Sequence, residues 1–162
     1  MQFPDERPKE YRAKLAALYS DLKRWLEPLG IQAVEYEVHL LEEAFGAYEA
    51  PGMKLYLNNR LLAQLRPIGA AIIGASGRVD FIGSVATATV VYLEKGGPRV
   101  TFTTTEGTRS QTRHAPLLFV GINHAGWYWI QDRKSSKALP LNKELCQKLL
   151  SDVSDHAFAQ SA

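Results

Sequence analysis

The sequence has little of what marks several large classes of protein. It contains one cysteine, Cys146, so a scaffold of disulfides is excluded. Its longest apolar run, residues 69–75, falls far short of the roughly 20 residues of a membrane-spanning helix. The N-terminal residues include no apolar segment of the kind found in secretory signals. We therefore predict a cytoplasmic protein that does not enter the membrane.

The sequence also has little excess charge of either sign. Its 19 lysines and arginines nearly balance 17 aspartates and glutamates, for a net charge of +2. This balance is unlike that of a strongly basic nucleic-acid protein or an acidic tail. The 46% of apolar residues is typical of a globular protein rather than a disordered chain. With no internal repeat or linker, the chain is predicted to form one domain over residues 1–162.

Two helices are predicted, one at each end of the chain. The first spans about Glu6–Glu27, where apolar residues recur with a period near 3.6 and form one stripe. That stripe consists of Tyr11, Leu15, Leu18, Leu22, Trp25, Leu26 and Leu29. The second spans about residues 143–153, with Asn142 as its N-cap. Its buried stripe is predicted to contain Leu145, Leu149, Leu150 and Val153.

The region between the helices has the alternating pattern of β-strands. Ile31–Tyr48 fits either a strand or a helix, but its β-branched and aromatic residues favour a strand over about Gln32–Leu40. Asn58-Asn59 is predicted to form a hairpin turn, because asparagine tolerates positive φ. The fold class is therefore α+β: a largely antiparallel sheet or partly closed β-barrel, flanked by an N-terminal and a C-terminal helix.

A second hairpin is predicted around Gly96-Gly97, a pair typical of type I′ turns. Its strands would be Val85–Glu94 and Arg99–Thr105, with Glu94 facing Arg99 beside the turn. The polar stretch Glu106–Pro116 is predicted to be a mobile connection. Further strands are expected at Leu117–Ile122 and Trp127–Ile130.

Glycine is concentrated around residues 69–77, next to Arg78 and Asp80. Backbone N–H groups in such a stretch can bind an anion, and Arg78 could close over it. The spacing is not that of a phosphate-binding P-loop, and strand patterns lie on both sides, which favours a simple turn. A small-ligand or enzyme site near Gly69–Asp80 remains one hypothesis.

Other reactive residues have a simpler structural interpretation. Asp80, Glu94 and Lys95 resemble the acid-and-lysine set of some nucleases, but adjacent strand residues point to opposite faces. Glu35, Glu37 and His39 would share a strand face and could bind a cation, although a solvated face looks the same. Cys146 is predicted to be a packed, inert thiol. We therefore assign no catalytic, metal or cofactor residue.

Charge is segregated along the chain although the total is small. Residues 27–49 contain six glutamates and no lysine or arginine. Residues 95–137 contain seven basic and two acidic residues, a net charge of +5. We call these the acidic segment and the basic segment. They either pack together and neutralise each other or form separate surfaces that attract oppositely charged partners.

The leading hypothesis is a non-catalytic binding module that uses segregated charge to meet a protein partner or a second copy of itself. The alternative is single-stranded nucleic-acid binding through the basic segment. In that case Arg109, Arg113, Arg133 and Lys134 would contact phosphates, and Trp127 or Trp129 would stack on bases. The sequence itself favours a core-filling role for these two tryptophans, because the chain has few other large residues.

Overall fold

The computed structural model describes residues 6–72, 75–95, 101–106, 109–114, 122–132 and 137–158. Its helices are α1 (Glu6–Leu26) and α2 (Lys143–Ser154), and a short 3₁₀ helix, Glu27–Leu29, follows α1. The strands are β1 (Ile31–Glu42), β2 (Gly46–Leu57), β3 (Arg60–Gly69), β4 (Arg78–Ile82), β5 (Thr87–Leu93), β6 (Thr101–Glu106), β7 (Arg109–His114), β8 (Gly126–Asp132) and β9 (Lys137–Pro140).

Seven of these strands form one open antiparallel sheet in the order β1-β2-β3-β4-β5-β8-β9, and β6 pairs with β7 in a separate two-stranded sheet. The α+β prediction is confirmed. Of its two forms, the structure has the open sheet rather than a partly closed barrel, since β1 and β9 lie at opposite edges.

The two helices supply much of the core. Of the predicted stripe, Trp25 and Leu29 are only partly buried, while the other members are buried together with Tyr19. Those other members are Tyr11, Leu15, Leu18, Leu22 and Leu26. α2 begins after Asn142, whose side-chain oxygen accepts a 2.8 Å hydrogen bond from the Leu145 N–H. It buries Cys146, Leu149, Leu150 and Val153. Both helices pack on one sheet face lined by Met53, Leu55, Leu65, Val79, Phe81 and Val90, all fully buried.

β1 settles the ambiguity at residues 31–48 in favour of a strand. It pairs with β2 along its whole length, from Ile31 opposite Leu57 to Glu42 opposite Gly46. β2 then turns into β3 through Asn58-Asn59, with φ angles of 51° and 63°. Both residues thus have the positive φ on which the prediction of a hairpin turn rests.

The predicted hairpin across Gly96-Gly97 is wrong for the strands that the structure describes. β5 has β4 on one side, where Val91 pairs with Arg78, and β8 on the other, where Val91 pairs with Tyr128. No side of β5 is left for the 99–105 strand. β6 pairs instead with β7, which lies inside the stretch predicted as a mobile connection.

The pairing of β2 with β3 stops where two prolines meet. Met53 pairs with Leu65, and the same register would place Pro51 opposite Pro67. Proline has no N–H to donate to a ladder. Beyond this point β1 and β2 continue only as a two-stranded ribbon, which twists more strongly than a wide sheet. The less exposed face of β1 therefore changes along its length. At its start, the odd-numbered Ile31 and Ala33 are buried or half-buried, and in the ribbon the even-numbered Val38 and Leu40 are.

Candidate interaction surface

The acidic segment forms an exposed surface along one edge of the sheet. Its exposed glutamates on β1, on the following turn and on β2 are Glu35, Glu37, Glu43 and Glu49. Two apolar side chains on β1 are also exposed: Val34 to 51% and Leu41 to 82%. We call these six residues the acidic edge. Single exposed apolar side chains are common on protein surfaces, so it is the run of like charge at a strand edge that marks this surface.

Among the described residues, two basic side chains contact glutamates of the acidic edge, and Lys54 of β2 lies opposite Val34. Lys23 of α1 places its Nζ 3.5 Å from Glu35 Oε2, and His39 Nδ1 lies 3.1 Å from Glu49 Oε1. Both pairs are solvent-exposed, so each contributes little. No group of three potential metal ligands occurs among the described residues, and this includes the Glu35, Glu37 and His39 set.

The acidic edge lies far from the two lysines of the basic segment that border the seven-stranded sheet. Lys95 closely follows β5, and Lys137 is the first residue of β9. β5 is four strand spacings from β1, and β9 is six. At a strand spacing of about 4.8 Å, these distances are roughly 19 Å and 29 Å. Both exceed the screening length of about 8 Å at physiological salt, so these lysines do not neutralise the acidic edge.

Glu42 anchors the end of β1 to the rest of the sheet. Its carboxylate accepts hydrogen bonds from the N–H groups of Ala70, at 3.0 Å, and Ala71, at 2.9 Å, and from the Tyr48 hydroxyl. Gly69 permits this approach, because a Cβ there would lie 2.5 Å from Glu42 Oε1. Burial and the bond to Glu42 raise the pKa of Tyr48, which stays neutral and donates.

This anchor bears on the hypothesis of an anion site in the glycine-rich stretch. Two of its backbone N–H groups, those of Ala70 and Ala71, do bind an anion, but that anion is the carboxylate of Glu42. A ligand phosphate would have to displace it. An open cleft of about 560 Å³ lies next to the anchor, lined by Glu42, Glu43, Ala44 and Ala71.

Arg78 and Asp80 bind each other on β4. Arg78 Nε donates to Asp80 Oδ1 at 2.8 Å, and Nη2 donates to Oδ2 at 3.0 Å. Asp80 is 7% exposed, and the bond to it raises the pKa of Arg78. Both side chains project from the sheet face opposite the helices, since the alternate residues Val79 and Phe81 face the core. The geometry is that of a bidentate pair, whose donors and acceptors satisfy each other.

The nuclease-like set is not assembled. Glu94 follows Tyr92 on the helix-facing side of β5, where its Oε1 lies 3.5 Å from Lys14 Nζ. Asp80 lies on the other face of the sheet. The predicted partner of Glu94, Arg99, lies outside the described residues. Glu94 and Asp80 therefore have separate partners on separate faces.

The two tryptophans proposed for base stacking pack in or against the core. Trp127 is buried, its Nε1–H donates to the Lys14 carbonyl at 3.1 Å, and its ring meets Tyr92 edge-on at 5.4 Å. Trp129 is partly buried against the same core, with Lys148 Nζ 5.2 Å from its ring centroid. This arrangement favours the core-filling role over a stacking role.

The remaining residues of the basic segment are placed only in part. Arg109 and Arg113 belong to β7, opposite Glu106 and Phe102 of β6 in the backbone register. Arg133 and Lys134 lie outside the described residues, as does most of the predicted strand Leu117–Ile122. Ile122 itself is buried, in a small cluster with Val91, Leu93 and Tyr128.

Cys146 has the environment of a packing residue. It is fully buried in α2, and burial raises the pKa of its thiol to about 12. At neutral pH the thiol is therefore protonated, and the thiolate that a nucleophile requires is scarce.

The features that define this surface are not visible in the sequence. The acidic residues can be read from it, but not the open strand edge that carries them or the role of Glu42. The one signal that bears on Glu42 is the glycine at position 69, which allows close approach of another group.

Comparison with known proteins adds no relative: no family model, no curated protein and no solved structure matches the chain. No helix among the described residues is long and apolar enough to cross a lipid bilayer.

Proposed function

We propose that this protein is a non-catalytic binding module whose acidic edge binds a basic segment of a partner protein. The observation that carries the proposal is the placement of the acidic edge, about four strand spacings from β5, which Lys95 follows, and about six from β9, which begins with Lys137. Charge that the described residues leave largely unpaired is available to attract a partner and to orient it.

Two further observations support a binding role rather than a catalytic one. The side chains best suited to catalysis are already hydrogen-bonded to neighbours: Asp80 to Arg78, and Glu42 to two backbone amides. The acidic edge also adds exposed apolar area, at Val34 and Leu41, to its charge. Protein interfaces combine buried apolar contacts with polar contacts at the rim.

The test uses a fluorescently labelled peptide of about ten lysines as a defined basic probe, titrated with the protein and followed by anisotropy. The variant E35Q/E37Q/E43Q/E49Q removes the charge of the acidic edge. Its matched control, E6Q/E10Q/E144Q/D152N, removes the same number of charges from exposed positions on the two helices. We expect the edge variant to lose about tenfold in affinity and the control about twofold.

The salt dependence of binding, the comparison of the two variants and a nucleic-acid probe give the outcomes that would contradict the proposal. Binding should weaken steeply between about 50 and 300 mM salt, because exposed charges are screened. Equal losses in the two variants would contradict the proposal, since they would show dependence on net charge alone. Saturable tryptophan quenching by a single-stranded oligonucleotide, with no binding of oligolysine, would favour the nucleic-acid alternative.

Self-association is measured separately, by sedimentation velocity over a range of protein concentrations. If a dimer forms and the edge variant abolishes it, the partner segment belongs to a second copy of this chain.

A further inference from the structure

We propose that β1 binds its partner by strand addition: an extended segment with alternating basic and apolar residues pairs along β1 as an eighth strand of the sheet. This inference rests on the proposed function and adds to it the mode of binding and the pattern of the partner sequence.

Among the described residues, β1 has an open hydrogen-bonding edge. β1 is twelve residues long and pairs with β2 at each of them. Within the described chain, no strand or loop pairs with its other side. A strand in this position directs every second N–H and C=O group outward, in the spacing that another strand needs.

The two faces of β1 carry different kinds of side chain. Glu35 and Glu37 lie on the face of α1, as the contact of Glu35 with Lys23 shows. Val34 and Tyr36 lie on the other face, where the Tyr36 hydroxyl is 3.3 Å from Gln64 Oε1. Side chains of an added strand would alternate between the same two faces. Basic residues would then lie beside the glutamates, and apolar residues beside Val34.

The charges on β1 exclude a second copy of β1 as the added strand. Antiparallel pairing of two β1 strands would bring glutamates of one copy close to glutamates of the other. Like charges at opposed or diagonal cross-strand positions are destabilising. Charged residues on edge strands commonly prevent such self-pairing. The same carboxylates attract a strand of opposite charge, so the pattern selects a basic partner.

Contacts within the protein hold β1 in place before any partner binds. The carboxylate of Glu42 ties its end to Ala70 and Ala71, and Tyr36 packs over Gly52, where a Cβ would lie 2.6 Å from the ring. A template that is ordered before binding loses less conformational entropy when the partner arrives.

The experiment compares labelled peptides of about eight residues in which lysine and valine alternate. The parent peptide can form the ladder. Two derivatives carry N-methyl groups on alternate amides, one on each of the two possible sets. An added strand presents only one set to β1, so one derivative should bind within about threefold of the parent and the other at least about tenfold more weakly.

Amide hydrogen exchange gives an independent readout on the protein. The parent peptide should slow exchange at alternate residues between Val34 and Leu41 and leave the β9 edge unchanged. The variant E35Q/E37Q should lose about tenfold in affinity for this peptide. As both carboxylates are exposed, the fold should be preserved, and a thermal unfolding curve checks this.

The outcomes separate this inference from the proposed function. If both methylated peptides bind as tightly as the parent, or if β1 gains no protection, strand addition is overturned while charge-based binding stands. If neither oligolysine nor the alternating peptide distinguishes the acidic edge from its control, both proposals fail. If both methylated peptides bind weakly, slowed exchange at alternate β1 residues with the parent peptide would support strand addition, and unchanged exchange would overturn it.

Discussion

The two edges of the sheet are built in opposite ways. β9 has only four residues and ends at Pro140, which has no N–H to offer another strand. β1 has twelve residues and no proline, and it carries exposed apolar and acidic side chains. Short strands and prolines are common means of closing an edge against unwanted pairing. The fold closes one edge in this way and protects the other only by charge.

The edges are also fastened to the molecule by different physical means. Beside β9, Trp127 of β8 is inserted into the core and hydrogen-bonded to α1. At β1, the fastening is polar: the Glu42 carboxylate on two backbone amides. An apolar anchor depends on buried area and shape, whereas a polar anchor depends on complete pairing of donors and acceptors. Substitutions at the two anchors should therefore differ in size.

The largest effect is expected at the apolar anchor. Trp127→Ala should reduce the free energy of unfolding by about 3–5 kcal/mol, because it leaves a cavity and removes the indole hydrogen bond to the Lys14 carbonyl. Trp127→Phe keeps much of the ring and loses only the hydrogen bond to Lys14, so about 1–2 kcal/mol is expected. Urea denaturation of both variants measures these values. If Trp127→Ala costs no more than Trp127→Phe, burial of the indole is not what fastens this edge.

A smaller effect is expected at the polar anchor. Glu42→Ala leaves the Ala70 and Ala71 N–H groups without their partner and should cost about 2 kcal/mol. The matched control is Glu43→Ala, whose neighbouring and exposed side chain should change stability by less than about 0.5 kcal/mol. Exchange of the Ala70 amide should accelerate only in the Glu42 variant. Equal stability of the two variants would show that the anchor does not hold the ribbon.

Alkaline pH tests the contacts that hold α1 against the ribbon side of the sheet. Burial raises the pKa values of Tyr11 and Tyr19 above their ordinary value, and the Tyr19 hydroxyl donates to the Pro51 carbonyl at 2.6 Å. A raised pKa means that the folded state holds the proton more tightly than the unfolded state does. The resulting stability is present below the unfolded pKa of about 10 and is lost as the pH rises through the folded value.

Urea midpoints measured between about pH 7 and pH 11 should therefore be flat at first and fall above about pH 10. Tyr19→Phe should cost about 1 kcal/mol at neutral pH, where it removes a hydrogen bond, and should flatten the alkaline decline. An unchanged decline in this variant would assign the alkaline sensitivity to other groups.

Local patterns made the helices and one hairpin predictable. The stripe from Tyr11 to Leu26, the Asn142 cap and the Asn58-Asn59 turn each depend on residues within a few positions of one another. The β5–β6 hairpin had the same kind of local support, a Gly96-Gly97 pair and a favourable charge pair, yet it is wrong. β8 lies beside β5 instead, and the residues that pair are more than thirty positions apart in the sequence. A turn signal reports only on neighbouring residues, so it cannot predict this pairing.

The candidate surface shows the same boundary between local and non-local information. The six glutamates of the acidic segment are visible in the sequence. Their distance from Lys95 and Lys137 depends on strand order, which emerges only when the whole sheet forms. Similarly, Glu42 contacts Ala71 across 29 positions. Nothing near Glu42 in the sequence distinguishes it from Glu43, which is exposed.

The smallest effect should come from Lys23, the cation that α1 places beside the acidic edge. Its contact with Glu35, 3.5 Å long, is half-exposed, so Lys23→Gln should change stability by less than about 0.5 kcal/mol. The same change frees Glu35 for a basic partner and should raise the affinity for oligolysine about threefold. Arg24→Gln is the control, because it removes the same charge from the next residue, which pairs with Asp21 within α1. A gain in affinity confined to Lys23→Gln would locate binding at β1. Equal gains in both variants would show that affinity follows net charge alone and does not distinguish β1 from β9.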